Sequence, residues 1–485
     1  MDASLDGRRR LAVAAAGLLA LAMLTLAVLL RATPALGERQ IDIGFADYLY
    51  NEDGQSNIWM DRTAQVGADV IRVNMYWGNV APSKPENPRD PGDPAYAWKP
   101  FDTAISNAAE RGLEVDLTVL YAPPWAEGPR RPPVDDDAPA GSWKPDPRAL
   151  GDFAHAVARR YSGGYEAGGR TLPRVEYFEA WNEPNLHTYI TPQYNGRRNV
   201  AAGIYVRLLN SFYEEVKGVD PSMKVVTGGT APYGDPPSGR ARKTSPLRFY
   251  RELLCLSPKL RRSGCAAGQR AKFDILAHHP INREDPPTAH AEADDDVEVA
   301  DFGELARTLR RAEKLGTTGT PGRHGLWANE VWWQTDPPDK GEGVSLKTHA
   351  RWTQQAIYLL WKQGASNVSF LQFRDAKYTP GEYTLDSYQT GIYTFGNRRK
   401  PTATAVAFPF VTDRRGPRNL LAWGRAPKSG RLKIEVKRGG RGFRKLTTVR
   451  VREGRVFTKR LRLSGRQELR AVVGGKRSLI WSQRD

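Results

Sequence analysis

"VEYFEAWNEPNL", residues 175–186, sets Asn182, Glu183 and Pro184 at the end of a run of aromatic and β-branched residues. The run reads as a buried strand, and the triplet lies where that strand must leave the core. A carboxylate at such a point is either a solvated strand end or a group held in place for chemistry. The rest of the chain decides between the two.

Working outward, residues 40–411 alternate short apolar runs with longer amphipathic ones. Strands are expected in "IDIGFADYL", "ADVIRVNMYW", "LEVDLTVLY", "VEYFEAWNE", "MKVVTGGTA", "FDILAHHP", "GLWANEVWW" and "ASNVSFLQF". Between them "FDTAISNAAERG", "RALGDFAHAVARRYSG", "GIYVRLLNSFYEEVKGVD", "FGELARTLRRAEKLG" and "HARWTQQAIYLLWKQG" read as helices, several closed by glycine. Eight strands alternating with helices predict an α/β fold, a (β/α)8 barrel, in which chemistry sits at the C-terminal ends of the strands. Glu183 then ends strand four, and Glu330 of "WANEVWW" ends strand seven on the same rim. Two proline-rich stretches, "APSKPENPRDPGDPAY" and "APPWAEGPRRPPVDDDAPAGSWKPD", follow strands two and three and are expected to wall a cleft there.

With 40% apolar and 10% aromatic residues the chain has material for a full core. The formal charge of +18 would suggest nucleic acid, but residues 414–485 alone carry 23 Lys and Arg against 4 Asp and Glu. The remainder is near neutral, so nucleic-acid binding by the main domain is not expected. The basic segment alternates: Leu432, Ile434 and Val436 point one way, Lys433, Glu435 and Lys437 the other. A small β-sandwich with a basic outer face is expected there, following a last helix in "RRKPTATAVAFPFV". Attachment to anionic polymers of the cell envelope is one reading of that face. Packing against the barrel is the other.

Residues 11–30, "LAVAAAGLLALAMLTLAVLL", carry no charge and follow Arg8, Arg9 and Arg10. They are long enough to span a bilayer as an anchor, or they form a signal peptide cleaved near Ala35. Both outcomes export the protein to the cell surface or beyond. The expected domains are thus residues 1–37, 38–411 and 414–485. Cys255 and Cys265, the only cysteines, read as a disulfide in an exported chain. Asp294, Asp295 and Asp296 read as a solvated helix start, so neither metal nor cofactor is assigned.

Glu183 in "NEP" and Glu330 in "WANEVWW" together make residues 40–411 resemble a clan A glycoside hydrolase, similar to families 5 and 39. The resemblance implies a retaining β-glycosidase acting on a poly- or oligosaccharide, with Glu183 as acid/base and Glu330 as nucleophile. It implies that Asn182 bonds the sugar 2-hydroxyl, that Arg72 in "VIRVNMYW" keeps the nucleophile ionised, and that His279 in "LAHHPI" lines the site above a packed His278. Negative Glu330 is expected to keep Glu183 protonated. Two departures stand out. Ile281 replaces a tyrosine that supports the nucleophile, leaving Tyr76, Tyr121 or Tyr233 to substitute, and "VSFLQFRD" has Phe373 and Arg374 in place of a sugar-platform tryptophan. Trp77, Trp125, Trp332 and Trp333 are the rim aromatics expected to stack on sugars. Transglycosylation at the same site, or a carbohydrate-binding pseudoenzyme, are the alternatives.

Overall fold

The computed structural model describes residues 39–51, 54–236, 242–265, 269–437 and 442–483. The apolar run at residues 11–30 and the cleavage point near Ala35 lie outside these residues. Among the described residues, no helix is long and apolar enough to cross a membrane. The chain from Gln40 onward forms one compact unit.

Eight parallel strands close into a barrel: β1 (Asp42–Ala46), β2 (Val70–Tyr76), β3 (Glu114–Leu120), β4 (Tyr177–Ala180), β5 (Lys224–Thr227), β6 (Ile275–His278), β7 (Gly325–Val331) and β8 (Asn367–Leu371). Each pairs with its neighbours in sequence, and β8 returns to β1 with Asp42 opposite Asn367 and Ala46 opposite Leu371. All eight coincide with runs expected from the sequence. Besides a four-residue turn of helix at Trp77–Val80, the helices among the described residues are α1 (Ser56–Gln65), α2 (Lys99–Glu110), α3 (Pro147–Arg160), α4 (Ala201–Val219), α5 (Pro246–Leu253), α6 (Phe302–Leu315), α7 (Leu346–Gln363) and α8 (Thr402–Ala407). Local chemistry sets their ends. Asp146 caps α3 by accepting from the amides of Arg148 and Ala149, and Gly316 and Gly364 close α6 and α7 in the left-handed conformation.

Because side chains alternate along a strand, Ile71, Val73 and Met75 of β2 face the helices while Arg72 and Asn74 face the barrel interior. That interior has an apolar floor of Val226, Ile275, Ala277 and Trp327, with Tyr177 packed against it. Two residues further along, Glu179 follows Tyr177 and Asn329 follows Trp327, and the lining turns polar with Arg72, Asp116 and Thr118. Buried charge at this level must be paired or neutralised.

Helix α8 ends at Ala407, earlier than the expected last helix, because Pro409 has no amide to continue it. Phe410 opens an antiparallel sheet of β9 (Phe410–Gly416), β10 (Asn419–Arg425) and β13 (Val456–Arg462). A second antiparallel sheet holds β11 (Gly430–Lys437), β12 (Arg444–Val451), β14 (Gln467–Val473), β15 (Lys476–Arg477) and β16 (Trp481–Gln483). The sheets touch where Trp481 Nε1 donates to the Thr412 carbonyl, 3.1 Å away. They dock on the barrel through Arg425, whose Nη2 lies 2.6 and 2.7 Å from the two Asp69 oxygens, and through Trp423, 5.5 Å from the Trp361 ring. Cys255 and Cys265 form the expected disulfide beyond α5.

Candidate active site

Strand β4 delivers Glu183 through a constrained turn. Trp181 (φ 79°) and Glu183 (φ 35°) both occupy the left-handed region, which costs a side-chain-bearing residue about 1–3 kcal/mol each. Tyr121 after β3 and Gln372 after β8 are held likewise. The turn is fixed from several sides. The Trp181 amide donates to the Val119 carbonyl at 2.8 Å and its indole to the Tyr189 carbonyl at 2.9 Å. The Glu183 amide donates to the Gly229 carbonyl at 2.9 Å. Buried Asn185 ties this loop to the one after β5, donating to the carbonyls of Ala231 (3.1 Å) and Thr244 (2.9 Å) and accepting from the Ala231 amide (2.8 Å).

Beneath the turn lies a carboxylate that the sequence reading passed over. Glu179, fully buried, accepts from Arg72 Nε (2.6 Å) and Thr118 (2.8 Å) on one oxygen, and from the Gly229 amide (3.0 Å) and Asn329 (3.0 Å) on the other. Burial works against its charge, but Arg72 and these donors hold its pKa below the ordinary value. Asp116 beside it goes the other way: burial, then the negative charge of Glu179, push it well above the usual carboxylate range. One neighbour therefore carries the charge and the other the proton.

Arg72 Nη2 donates to Asn182 Oδ1 at 2.7 Å, and Nη1 lies 3.6 Å from Glu330. With Oδ1 engaged by Arg72, Asn182 keeps its Nδ2 as a donor for another partner. His279 Nδ1 is 2.9 Å from Glu183 and 3.6 Å from Glu330, and one donor atom from each of these three residues lies within 4.8 Å of the others. Such a carboxylate–imidazole–carboxylate set is also close enough to hold a metal ion. Burial is the first cause of a raised pKa at Glu330, and the charges of Glu183 and Glu179 add to it while His279 and Arg72 oppose it. His278 lies outside the trio, bonded to Thr230 (2.8 Å) and the Val297 carbonyl (2.9 Å), with burial lowering its pKa to about 3.

Tyrosines make one wall. Tyr76 stacks on Tyr121 with ring centres 6.0 Å apart, and Tyr121 on Tyr189 at 5.1 Å. Tyr189, raised by burial and then by the charge of Glu183, borders the carboxylates. Half-buried Trp332 packs 5.1 Å from Tyr388, whose hydroxyl burial and the nearby Glu330 push to about 12. Beside Arg72 opens a cavity of about 340 Å³ lined by Asp47, Asn74, Tyr76 and Gln372.

Of the residues expected at the site, Glu183, Glu330, Asn182, Arg72 and His279 are brought together, with Trp332 at its edge. Trp77 is a correction. It is fully buried, stacked 5.5 Å from Phe153, because β2 turns at Tyr76 and sends the next ring into the core. Trp333 is buried against Trp352, and Phe373 against Phe45, so neither offers a face to a sugar. Among the described hydrogen bonds, none joins Tyr76, Tyr121 or Tyr233 to Glu330. The signal for Glu179 was present: a charge inside the apolar run "VEYFEA" is as anomalous as Arg72 in its own strand.

No protein-family profile matches the chain, and no curated protein matches it in sequence. Its fold is that of the clan A glycoside hydrolases, as the sequence resemblance implied. It is similar to a family 39 glycoside hydrolase from the gut symbiont Bacteroides cellulosilyticus WH2, at TM-score 0.55 and 16% identity over 88% of this chain and 82% of that one. It is also similar to a glucosidase from Croceicoccus marinus, at TM-score 0.50 and 13% identity over 88% and 94%.

Proposed function

We propose that the protein is a retaining β-glycosidase acting on a poly- or oligosaccharide. The observation that carries this reading is the placing of Glu183 and Glu330, from the ends of β4 and β7, with carboxylate oxygens within 4.8 Å of each other. Carboxyl groups about 5–5.5 Å apart suit double displacement, whereas inversion needs room for an intervening water. Glu330 attacks the anomeric carbon while Glu183 gives its proton to the departing glycosidic oxygen. The C–O bond breaks and a glycosyl ester forms on Glu330. Water then attacks the same carbon, Glu183 takes its proton, and the Glu330 carboxylate is released.

The surrounding residues serve these steps. Arg72 favours the ionised form of Glu330 and orients Asn182, whose Nδ2 meets the 2-hydroxyl as charge develops at the ring. His279 Nδ1 lies between the two acids and donates to either as the proton moves. The cavity beside Arg72 takes the sugar on the nucleophile side, and Trp332 with Tyr388 borders the leaving group. The same reading needs no metal, so chelation is expected to leave turnover unchanged. Export is proposed with it: the Cys255–Cys265 disulfide accords with an oxidising compartment, and the run at residues 11–30 would supply an anchor or a signal.

The test is turnover of a panel of aryl β-glycosides by the full chain beside Glu330→Ala. Loss of several orders of magnitude in the variant, with partial recovery on adding azide as an external nucleophile, is the expected result. Equal activity of the two proteins would overturn the reading. No turnover by the native chain, with polysaccharide still bound, would put a carbohydrate-binding pseudoenzyme in its place. An acceptor sugar outcompeting water would make it a transglycosylase.

A further inference from the structure

We propose that the second C-terminal sheet carries a binding face for an anionic polysaccharide, a glycan chain bearing carboxylate or phosphate groups, distinct from the barrel site. Along β11 the alternation puts Leu432, Ile434 and Val436 fully into the core. Arg431 and Lys433 must therefore face outward, and both are exposed. The pairing with β12 sets Arg431 directly opposite exposed Arg450, and Lys433 opposite Thr448. Like charges facing each other across a strand pair cost stability. A one-residue slip would relieve this only by burying the charges, so the register itself displays them.

Among the described residues, no ion pair joins an acid of the sheet to these three cations. The described ion pairs of the sheet, Arg470 with Glu435 at 2.8 Å and Lys437 with Glu468 at 3.0 Å, involve the other half of β11 and β14. Arg431 and Arg450 instead border an open, shallow cleft of about 640 Å³ with Gly430, Thr448 and Val449. An anion laid along it would relieve the Arg431–Arg450 repulsion, which is the complementarity that assigns the partner's charge.

The choice of a glycan rests on the glycosidase reading of the barrel, which belongs to the same compact unit. Holding a polymer on the same compact unit as the barrel raises its local concentration for the catalytic site. Single-stranded nucleic acid would need aromatic platforms for its bases. None stands among the paired positions Arg431, Lys433, Thr448, Arg450 and Val472, and Phe443 is already covered by the Arg470 guanidinium at 4.0 Å.

The test compares the full chain with Arg431→Gln/Lys433→Gln/Arg450→Gln for binding to polygalacturonate, dextran phosphate, neutral dextran and single-stranded DNA. The native chain is expected to bind one or both anionic glycans and not dextran. Its affinity should fall about tenfold or more between about 50 and 200 mM salt, by analogy with other linear polyanions. The triple variant should bind at least about tenfold more weakly, with Tm equal to or above that of the native chain as the Arg431–Arg450 repulsion is removed, and with unchanged turnover of a small aryl glycoside. The polygalacturonate and dextran phosphate arms tell carboxylate from phosphate. Absence of binding at low salt, binding indifferent to the three substitutions, or DNA held as tightly as either glycan would overturn the inference. Binding without turnover of any glycoside would remove the glycosidase reading and leave the face standing. Turnover without binding would do the reverse.

Discussion

Gly229 shows how little freedom the proposed chemistry has at single residues. Its amide donates to Glu179, its carbonyl accepts from the Glu183 amide, and a Cβ on it would lie 2.2 Å from His279 Nε2 and 2.8 Å from Asn329 Oδ1. Gly229→Ala must displace His279, Asn329 or the Glu183 turn. It is expected to lower stability by about 1–3 kcal/mol and kcat/KM by about a hundredfold or more, read by thermal melts and steady-state kinetics. The acids give signed predictions. Glu330 attacks only when ionised and its pKa is raised, so kcat/KM should fall with falling pH through a value above the ordinary 4.5. Glu179→Gln removes one cause of that rise and should move the acid limb to lower pH as well as lowering the maximum, which a pH–rate profile measures. The same shift bears on folding. An acid with a raised folded-state pKa contributes stability that is fully present below its unfolded pKa and lost as pH rises through the folded value. Glu330→Gln should therefore raise Tm at neutral pH, the gain vanishing below about pH 4.

At the scale of elements, the loop after β4 is the part most dependent on its supports. Asn185 alone satisfies three backbone groups that are otherwise buried. Asn185→Ala should cost about 2–4 kcal/mol by denaturant unfolding, since the orphaned backbone groups have no other partner among the described residues. Activity should fall with it, because the same loop presents Glu183. The elements were legible where the local pattern was unambiguous. Each barrel strand is an apolar run ending at a polar or turn residue, and α6 and α7 announce their ends with Gly316 and Gly364. Legibility failed where several faces were apolar. "NLLAWGR" has no alternation to mark β10, since Leu420, Ala422, Trp423 and Gly424 are all buried. For Trp77, sequence placed the residue at a strand end without saying which way the chain would turn. The carboxylates and Arg72 were legible because ionisable groups in apolar strands are rare, and Glu179 obeys the same logic.

In the whole molecule, barrel and basic sheets are joined by specific contacts. Arg425 bonds both Asp69 oxygens and the Gly67 carbonyl at 2.9 Å, just before β2. Tyr358 and Lys362 of α7 reach Asp413 of β9. A single unfolding transition is therefore expected by calorimetry, and Arg425→Ala should destabilise by about 1.5–3 kcal/mol, shifting that transition or splitting it in two. The division into a barrel and a basic all-β segment was legible from composition, because charge changes abruptly near residue 414. Their mutual docking was not, since Asp69 and Arg425 are far apart in the chain and neither is unusual in its own surroundings.

Tyr388 and Tyr189 border the carboxylate pair closely enough for Glu330 to contribute to the elevation of both. They are thus optical witnesses of the reaction's electrical state. Esterification of Glu330 deletes one negative charge, so a trapped glycosyl-enzyme should ionise Tyr388 at lower pH than the resting protein, visible as phenolate absorbance near 295 nm. The barrel would report its own covalent intermediate without a label.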